Sequence, residues 1–203
     1  MKPIQEANER NKIWRNVNQQ QLRQTITNEL YTFDQIYNEH MSTPEIFEGQ
    51  FKNMILQALN GYNVTIFAYG QTSSGKTHTM IGEETELGII ALSAQEIFRK
   101  IKDTEGTEES HLDEARKFGS IVPAEAIKKS VKVIVSFFEI YNENINDLLD
   151  PSKKNLQIRE DKVNQQVNIE GVTKYEVSDS EHILALLHRG SELKKMASTK
   201  MNS

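Results

Sequence analysis

The protein has 203 residues, no cysteine and a formal net charge of −5, and 37% of its residues are hydrophobic. This length suffices for one domain with its own core, and the lack of cysteine excludes disulfides, thiol chemistry and thiolate metal sites. Broad binding of nucleic acid or anionic membranes needs a basic surface, so we expect neither partner. No apolar run approaches the ~20 residues that span a bilayer, and Met1–Glu6 lacks the apolar core of a signal peptide, so we expect a cytoplasmic protein.

The first predicted elements are short strands followed by a helix. The segment from Leu22 to Tyr37 alternates loosely and is rich in Thr, Ile, Tyr and Phe, which predicts a hairpin with a turn at Asn28-Glu29. Ser42-Thr43-Pro44-Glu45 predicts a helix start, because a hydroxyl can cap, proline suits the first turn and glutamate favours it. One face of this helix is apolar, which is typical of core packing, and Gly61 predicts its end.

The stretch from Gly70 to Thr77 fits the phosphate-binding pattern G-x-x-x-x-G-K-[ST]. Val64–Ala68, directly before it, is apolar and β-rich and predicts a buried strand, and residues 76–81 can form a helix. A strand before the loop and a helix after it are the context that the motif requires. The other interpretation is a glycine- and serine-rich surface loop that matches by chance.

Each residue type in this loop has a physical role in binding a nucleotide. Gly70 and Gly75 allow the loop to curl with its N–H groups inward, and the helix that follows adds its positive end. Lys76 supplies a cation for the β- and γ-phosphates, and the Thr77 hydroxyl suits Mg²⁺. The candidate nucleotide-binding residues of the loop are Gly70, Gln71, Thr72, Ser73, Ser74, Gly75, Lys76 and Thr77.

Helices and strands are predicted to alternate after the loop. Residues 82–88 predict a short acidic loop, after which a helix resumes at Ile90. Residues 103–130 carry acidic and then basic side chains, and we predict a flexible, solvated segment there, with a regulatory or partner site as the alternative.

The last third of the chain predicts more strands and a final helix. Val131–Tyr141 predicts one long strand. Residues 153–177 predict hairpin strands with a turn at Glu170-Gly171. A capping box from Ser178 to Glu181 predicts the start of the last helix.

Residues beyond the phosphate-binding pattern resemble one family, the kinesin motor domain. Tyr-Gly-Gln-Thr at 69–72 and His-Thr-Met at 78–80 distinguish the loop from those of other phosphate-loop families. The resemblance extends over nearly the whole chain, with residues 103–130 as an insertion. Its further matches are Tyr31-Thr32-Phe33-Asp34, Ser136–Glu143, Asp147-Leu148-Leu149 and Thr199-Lys200-Met201-Asn202.

The resemblance implies an α/β fold, the three-layer P-loop NTPase with a central mixed sheet, incomplete in this chain. It implies ATP and Mg²⁺ as ligands, with adenine held between Pro3 and His78. The alternative for Pro3 is an ordinary flexible N-terminus. The alternative for His78 is a side chain that is hydrogen-bonded within the protein or faces solvent, without a role in binding. Lys2 departs from the family, which has arginine there.

The resemblance also implies a microtubule partner. The net negative charge of the chain does not favour this partner, because tubulin is acidic, so a local basic surface would have to make the contact. The implied contacts are Lys153, Lys154, Arg159 and Lys162, and a solvated edge is the alternative. Asn164-Gln165-Gln166 departs from a stretch that often carries another basic residue.

In the family, both nucleotide-sensing switch loops follow the position of Ser203. We therefore expect this chain to be the N-terminal portion of a motor domain, with no catalytic residue of its own, poor folding alone and negligible hydrolysis. The parent protein would couple ATP hydrolysis to movement along microtubules. The alternatives are a non-catalytic, kinesin-derived microtubule- or cargo-binding module and an unrelated phosphate-loop ATPase.

Overall fold

Short antiparallel strands and five helices make up the described part of the chain. The structure is a computed structural model that describes residues 13–83, 85–117, 131–162 and 166–201, with only the backbone described over 105–117 and 195–201. The helices are α1 (Thr43–Ile46), α2 (Lys52–Leu59), α3 (Lys76–Ile81), α4 (Ile89–Lys117) and α5 (Ser180–Met201). The strands are β1 (Trp14–Asn16), β2 (Gln21–Gln24), β3 (Leu30–Thr32), β4 (Gly82–Glu83), β5 (Glu86–Leu87), β6 (Val133–Val135), β7 (Phe138–Tyr141), β8 (Asn144–Asp147), β9 (Ile158–Asp161), β10 (Gln166–Ile169) and β11 (Tyr175–Val177).

The chain divides into two compact units, Met1–Ile97 and Phe98–Ser203, and the division falls within α4. The first unit contains the sheet β1-β2-β3 and the ribbon β4-β5, and the second contains the ribbons β6-β11, β7-β8 and β9-β10. All strand pairs described are antiparallel. The implied central mixed sheet is therefore represented only in part by the described residues.

The predicted first helix begins with a capping box. Ser42 Oγ accepts a hydrogen bond from the Glu45 N–H at 3.4 Å, and the Glu45 carboxylate accepts one from the Ser42 N–H at 2.7 Å. A π-helical turn over Phe47–Phe51 joins α1 to α2. Gly61 follows α2 with φ +96°, a conformation that suits glycine, so the predicted start and end of this helical region are both confirmed.

An apolar cluster in the first unit fixes the elements on both sides of the phosphate loop. Phe47, Ile55 and Ile89 form its buried centre. Ile66, before the loop, and Met80, in α3, both pack against this cluster. The apolar face predicted for the first helical region is thus core, and it anchors the loop at both ends.

The prediction of a buried strand over Val64–Ala68 is wrong. Exposed and half-buried residues alternate from 63 to 70, as in a strand, but the segment pairs with no strand in the described residues. Phe67 is 79% exposed. An extended segment becomes a buried strand only when neighbours satisfy its backbone and cover both faces, and the described part of the chain supplies neither.

The single strand predicted over Val131–Tyr141 is also wrong. The structure has two short strands there, β6 and β7, separated at Ser136 and Phe137. They pair with different partners, β6 with β11 and β7 with β8. Asn142 and Glu143 form the β7–β8 turn in left-handed conformations. A continuous apolar pattern could not reveal this change of partner.

The final helix is capped by a different residue from the one predicted. Asp179 Oδ1 accepts a hydrogen bond from the His182 N–H at 2.7 Å, whereas Ser178 Oγ donates to Asp179 Oδ2. Asp179 therefore caps α5 in place of Ser178. The pKa of Asp179 is lowered, chiefly by that backbone hydrogen bond.

Two other predictions are refined by the structure. Strand β9 ends at Asp161 and its partner β10 begins at Gln166, so the predicted turn at Glu170-Gly171 follows β10 and does not join these two strands. Helix α4 continues over 103–117, so the backbone of the first half of the predicted insertion is helical, while residues 118–130 lie outside the described residues. None of the described helices is both long and apolar enough to cross a bilayer.

Substitution of Gly190 tests how closely α5 packs within the second unit. A Cβ there would lie 2.4 Å from Phe137 Cδ1 and 3.4 Å from the Leu148 carbonyl oxygen. We expect Gly190→Ala to lower the free energy of unfolding, because overpacking costs about 1–3 kcal/mol and the helix gains at most about 1 kcal/mol. Urea unfolding followed by circular dichroism measures this change.

The matched control is Gly49→Ala, since Gly49 is exposed in a helical segment and its Cβ would meet nothing within 4 Å. That variant should be neutral or slightly more stable. Unchanged or higher stability of Gly190→Ala would contradict the close approach of α5 to Phe137.

Candidate functional site

The loop before α3 is curled by residues with positive φ. Gly70, Ser73 and Gly75 have φ values of +155°, +65° and +94°. Glycine adopts such conformations at little cost, whereas Ser73 adopts the left-handed region despite its Cβ. A Cβ on Gly70 would also lie only 2.5 Å from Ser74 Oγ. The pattern of glycines therefore corresponds to a tight curl, as the sequence predicted.

Backbone N–H groups of the loop are left available by this curl. Within it, Ser74 N–H donates to the Gln71 carbonyl at 3.2 Å, and Thr79 N–H donates to the Gly75 carbonyl at 2.9 Å. The N–H groups of 75–78 have no acceptor among the described residues. Free donors at the start of a helix are the groups that bind phosphate oxygens.

Lys76 places its cation against the same loop. Its Nζ donates to the carbonyl oxygens of Gly70 and Gln71, both at 2.7 Å. The ammonium is therefore held at the curl, against the carbonyl groups of its first two residues. A cation and several aligned donors on one short segment form a site for a polyanion.

Thr77 meets the requirement for a Mg²⁺ ligand beside such an anion. Its side chain is exposed, and its hydroxyl has no hydrogen-bond partner in the parts of the chain that the structure describes. No group of three histidine, aspartate or glutamate side chains among the described residues could hold a metal ion. The free Thr77 hydroxyl in the first turn of α3 fits an ion bound jointly by a hydroxyl and by nucleotide phosphates.

His78 lies in α3, one residue after Thr77, and is half-buried. Its Nδ1 is buried without a hydrogen-bond partner among the described residues. The nearby Glu86 carboxylate accepts a hydrogen bond from the Thr43 N–H at 2.6 Å. That bond is the main reason why the pKa of Glu86 is lowered, and the electrostatic effect of His78 lowers it further. Pro3, its predicted partner on adenine, lies outside the described residues.

The structure divides the four predicted microtubule contacts into two kinds. Lys153 Nζ donates to Thr173 Oγ1 at 3.0 Å and lies 3.9 Å from Asp150 Oδ2. Arg159 Nε donates to Glu170 Oε2 at 2.9 Å.

Lys154 and Lys162, in contrast, are exposed and have no partner in the described ranges. Sequence reasoning missed Asp150 and Glu170 as partners of the other two basic residues. The close spacing of Asp150 and Lys153 was a usable signal, but the Arg159–Glu170 pair depends on the register of the hairpin.

Comparison with known proteins places these features in a family. The model of the kinesin motor domain matches residues 2–203. The chain belongs to the kinesin motor domain family. Its kinesin relatives include the kinesin-like protein KIN-7M, chloroplastic, of Arabidopsis thaliana, which is 37% identical over 172 residues. Another is the kinesin heavy chain of Drosophila melanogaster, which is 36% identical over 181 residues.

The structural match agrees with this kinesin assignment. A solved structure of a fast kinesin, described in terms of its ATPase mechanism and its interactions with microtubules, superposes with a TM-score of 0.76 and 28% identity. The match covers 94% of this chain and 49% of that one. This confirms the predicted α/β P-loop NTPase fold of the kinesin motor, with its sheets partial here.

The chain spans only a small part of its curated kinesin relatives. The aligned region covers 85% of this chain and 14% of KIN-7M, and 88% of this chain and 16% of the Drosophila heavy chain.

Proposed function

We propose that this chain is the ATP-binding part of a motor domain that couples ATP hydrolysis to movement along microtubules. The observation that carries the proposal is the curl at 70–77, which combines free N–H groups, a lysine cation and a free threonine hydroxyl on a segment anchored at both ends by the core. Membership of the kinesin motor family is the reason for proposing ATP as the nucleotide and the microtubule as the partner.

The loop residues have separate roles in this proposal. The N–H groups of 75–78 bind phosphate oxygens, and Lys76 moves from the carbonyls of Gly70 and Gln71 to the terminal phosphates. Thr77 holds Mg²⁺, which supplies charge neutralisation when bound. We also propose that His78 and Pro3 hold the adenine ring.

Microtubule contact belongs to the exposed basic residues around the β9-β10 hairpin in this proposal. Tubulin is acidic, so a lysine without a carboxylate partner can contribute its whole charge. Lys154 and Lys162 meet this condition, whereas Lys153 and Arg159 already contact Asp150 and Glu170. We therefore propose Lys154 and Lys162 as the main contacts of this segment, with Lys153 and Arg159 as secondary ones.

The remaining proposals follow from the same assignment. We propose a cytoplasmic, microtubule-associated protein. Residues 103–130 form an insertion in the motor domain, and its helical first half extends α4.

Nucleotide binding is tested with Lys76→Ala. Removing a charge-assisted contact worth about 1.5–3 kcal/mol should weaken binding of a fluorescent, non-hydrolysable ATP analogue with Mg²⁺ by about 10- to 150-fold. Fluorescence titration of the full chain measures the dissociation constant.

The matched control is Lys52→Ala, because Lys52 belongs to the same unit and forms an ion pair with Glu48 at 2.8 Å. It should leave the affinity within about twofold, as expected for a surface ion pair. Equal affinities of the wild-type chain and Lys76→Ala would contradict the nucleotide site and favour a non-catalytic binding module.

Microtubule contact is tested by replacing Lys154 and Lys162 together with alanine. Each exposed charge contributes about 0.2–1 kcal/mol, so the double variant should bind microtubules about 2- to 30-fold more weakly in cosedimentation, with less effect at high salt. The control, Lys52→Ala with Lys132→Ala, removes the same charge but from lysines paired with Glu48 and Glu176. An equal loss in both double variants would indicate a net-charge effect and contradict a local contact.

A further inference from the structure

Asp147 is a buried carboxylate at the end of β8 with no role in the site described above. It is 3% exposed and is one of two buried acidic residues in the described parts of the chain. Burying a charge is unfavourable unless hydrogen bonds replace its hydration. The position of those hydrogen bonds therefore indicates what Asp147 holds in place.

Both carboxylate oxygens of Asp147 accept backbone hydrogen bonds. Oδ1 accepts from the N–H groups of Leu149 and Asp150 at 2.8 and 3.0 Å. Oδ2 accepts from the Thr173 N–H at 2.6 Å. Burial raises the pKa of Asp147, but these hydrogen bonds outweigh it and the pKa is lowered. One side chain thus joins the turn after β8 to the segment before β11.

These two segments are the two ends of the region that carries the proposed microtubule contacts. Asp147 N–H also donates to the Lys153 carbonyl at 3.0 Å, and Lys153 Nζ donates to Thr173 Oγ1 at 3.0 Å. Lys154 comes directly after the first anchored point, and the β9-β10 hairpin with Lys162 lies between the two points in sequence. The Asp147 clamp, defined as Asp147 with its contacts to Leu149, Asp150, Lys153 and Thr173, therefore fixes both ends of this region.

We propose that Asp147 is a positioning residue for microtubule binding, because its clamp sets how Lys154 and Lys162 are presented. This inference rests on the proposed function of those two lysines. Asp147 itself is buried and does not touch the partner.

A carboxylate is required because three N–H donors meet two acceptor oxygens. In Asp147→Asn one oxygen becomes an NH₂ group, which is a donor. In either orientation of the amide, at least one backbone N–H would face another donor and lose its bond. If the amide oxygen of the variant faces the N–H groups of Leu149 and Asp150, the turn after β8 keeps its hydrogen bonds and the Thr173 N–H loses its own.

The test compares Asp147→Asn with Asp34→Asn, an equal charge change at an exposed position of the first unit. We expect amide hydrogen exchange at Thr173 to become about fivefold faster or more in Asp147→Asn, as for loss of a buried hydrogen bond. Microtubule affinity should fall at least threefold, while binding of the fluorescent ATP analogue stays within about twofold. Asp34→Asn should change none of these.

A second measurement separates positioning from general destabilisation. If Asp147 acts through the lysines, removing Lys154 and Lys162 should weaken binding less in the Asp147→Asn background than in the wild type. If the two sets of substitutions act independently, their effects should multiply. Multiplying effects would overturn the positioning role.

Thr173→Pro keeps the test decisive should Asp147→Asn fail to fold. It removes the N–H that donates to Asp147 Oδ2 and keeps the carboxylate with its bonds to Leu149 and Asp150, and we expect about a twofold or greater loss of microtubule affinity. Wild-type microtubule binding with unchanged affinity in Asp147→Asn, or in Thr173→Pro where the first variant does not fold, would overturn the positioning role alone. Absence of microtubule binding by the wild-type chain would overturn the proposed contact and the positioning role together.

Discussion

The structure depends on keeping a row of backbone N–H groups free of internal partners at 75–78. Unpaired donors are costly when they are buried, so such N–H groups need water or a bound anion to accept their hydrogen bonds. Positive φ at Gly70, Ser73 and Gly75 produces that curl. Packing of Ile66 and Met80 on one apolar cluster holds its two ends. Binding chemistry and hydrophobic core are thus connected within one short stretch of chain.

Local signals in the sequence were sufficient for much of this arrangement. The helix start at Ser42, the stop at Gly61 and the phosphate-loop pattern each depend on residues close together in the chain, and the structure has the predicted local form at all three. Strand pairing depends on distant residues, and there the predictions over Val64–Ala68 and Val131–Tyr141 were wrong. A strand-like pattern predicts an extended backbone, but only a partner satisfies its hydrogen bonds.

The same distinction applies to the basic residues of the second unit. The sequence predicts four equivalent microtubule contacts, because composition does not reveal which charges are already neutralised. These four are Lys153, Lys154, Arg159 and Lys162. The pairs Lys153–Asp150 and Arg159–Glu170 appear only with the fold. The Asp147 clamp likewise requires Thr173 to approach from a distant part of the chain. The phosphate-loop pattern predicted the local curl at 70–77, whereas the composition of the second unit did not reveal which of its basic side chains are paired.

Whether the free N–H groups at 75–78 bind the phosphates can be measured by backbone amide chemical shifts during titration with Mg²⁺ and a non-hydrolysable ATP analogue. We expect large, saturable shifts at the amides of 75–78, with little change at Thr173 in the second unit. Saturable binding of the nucleotide without shifts at these amides, or no binding at millimolar concentrations, would contradict this expectation.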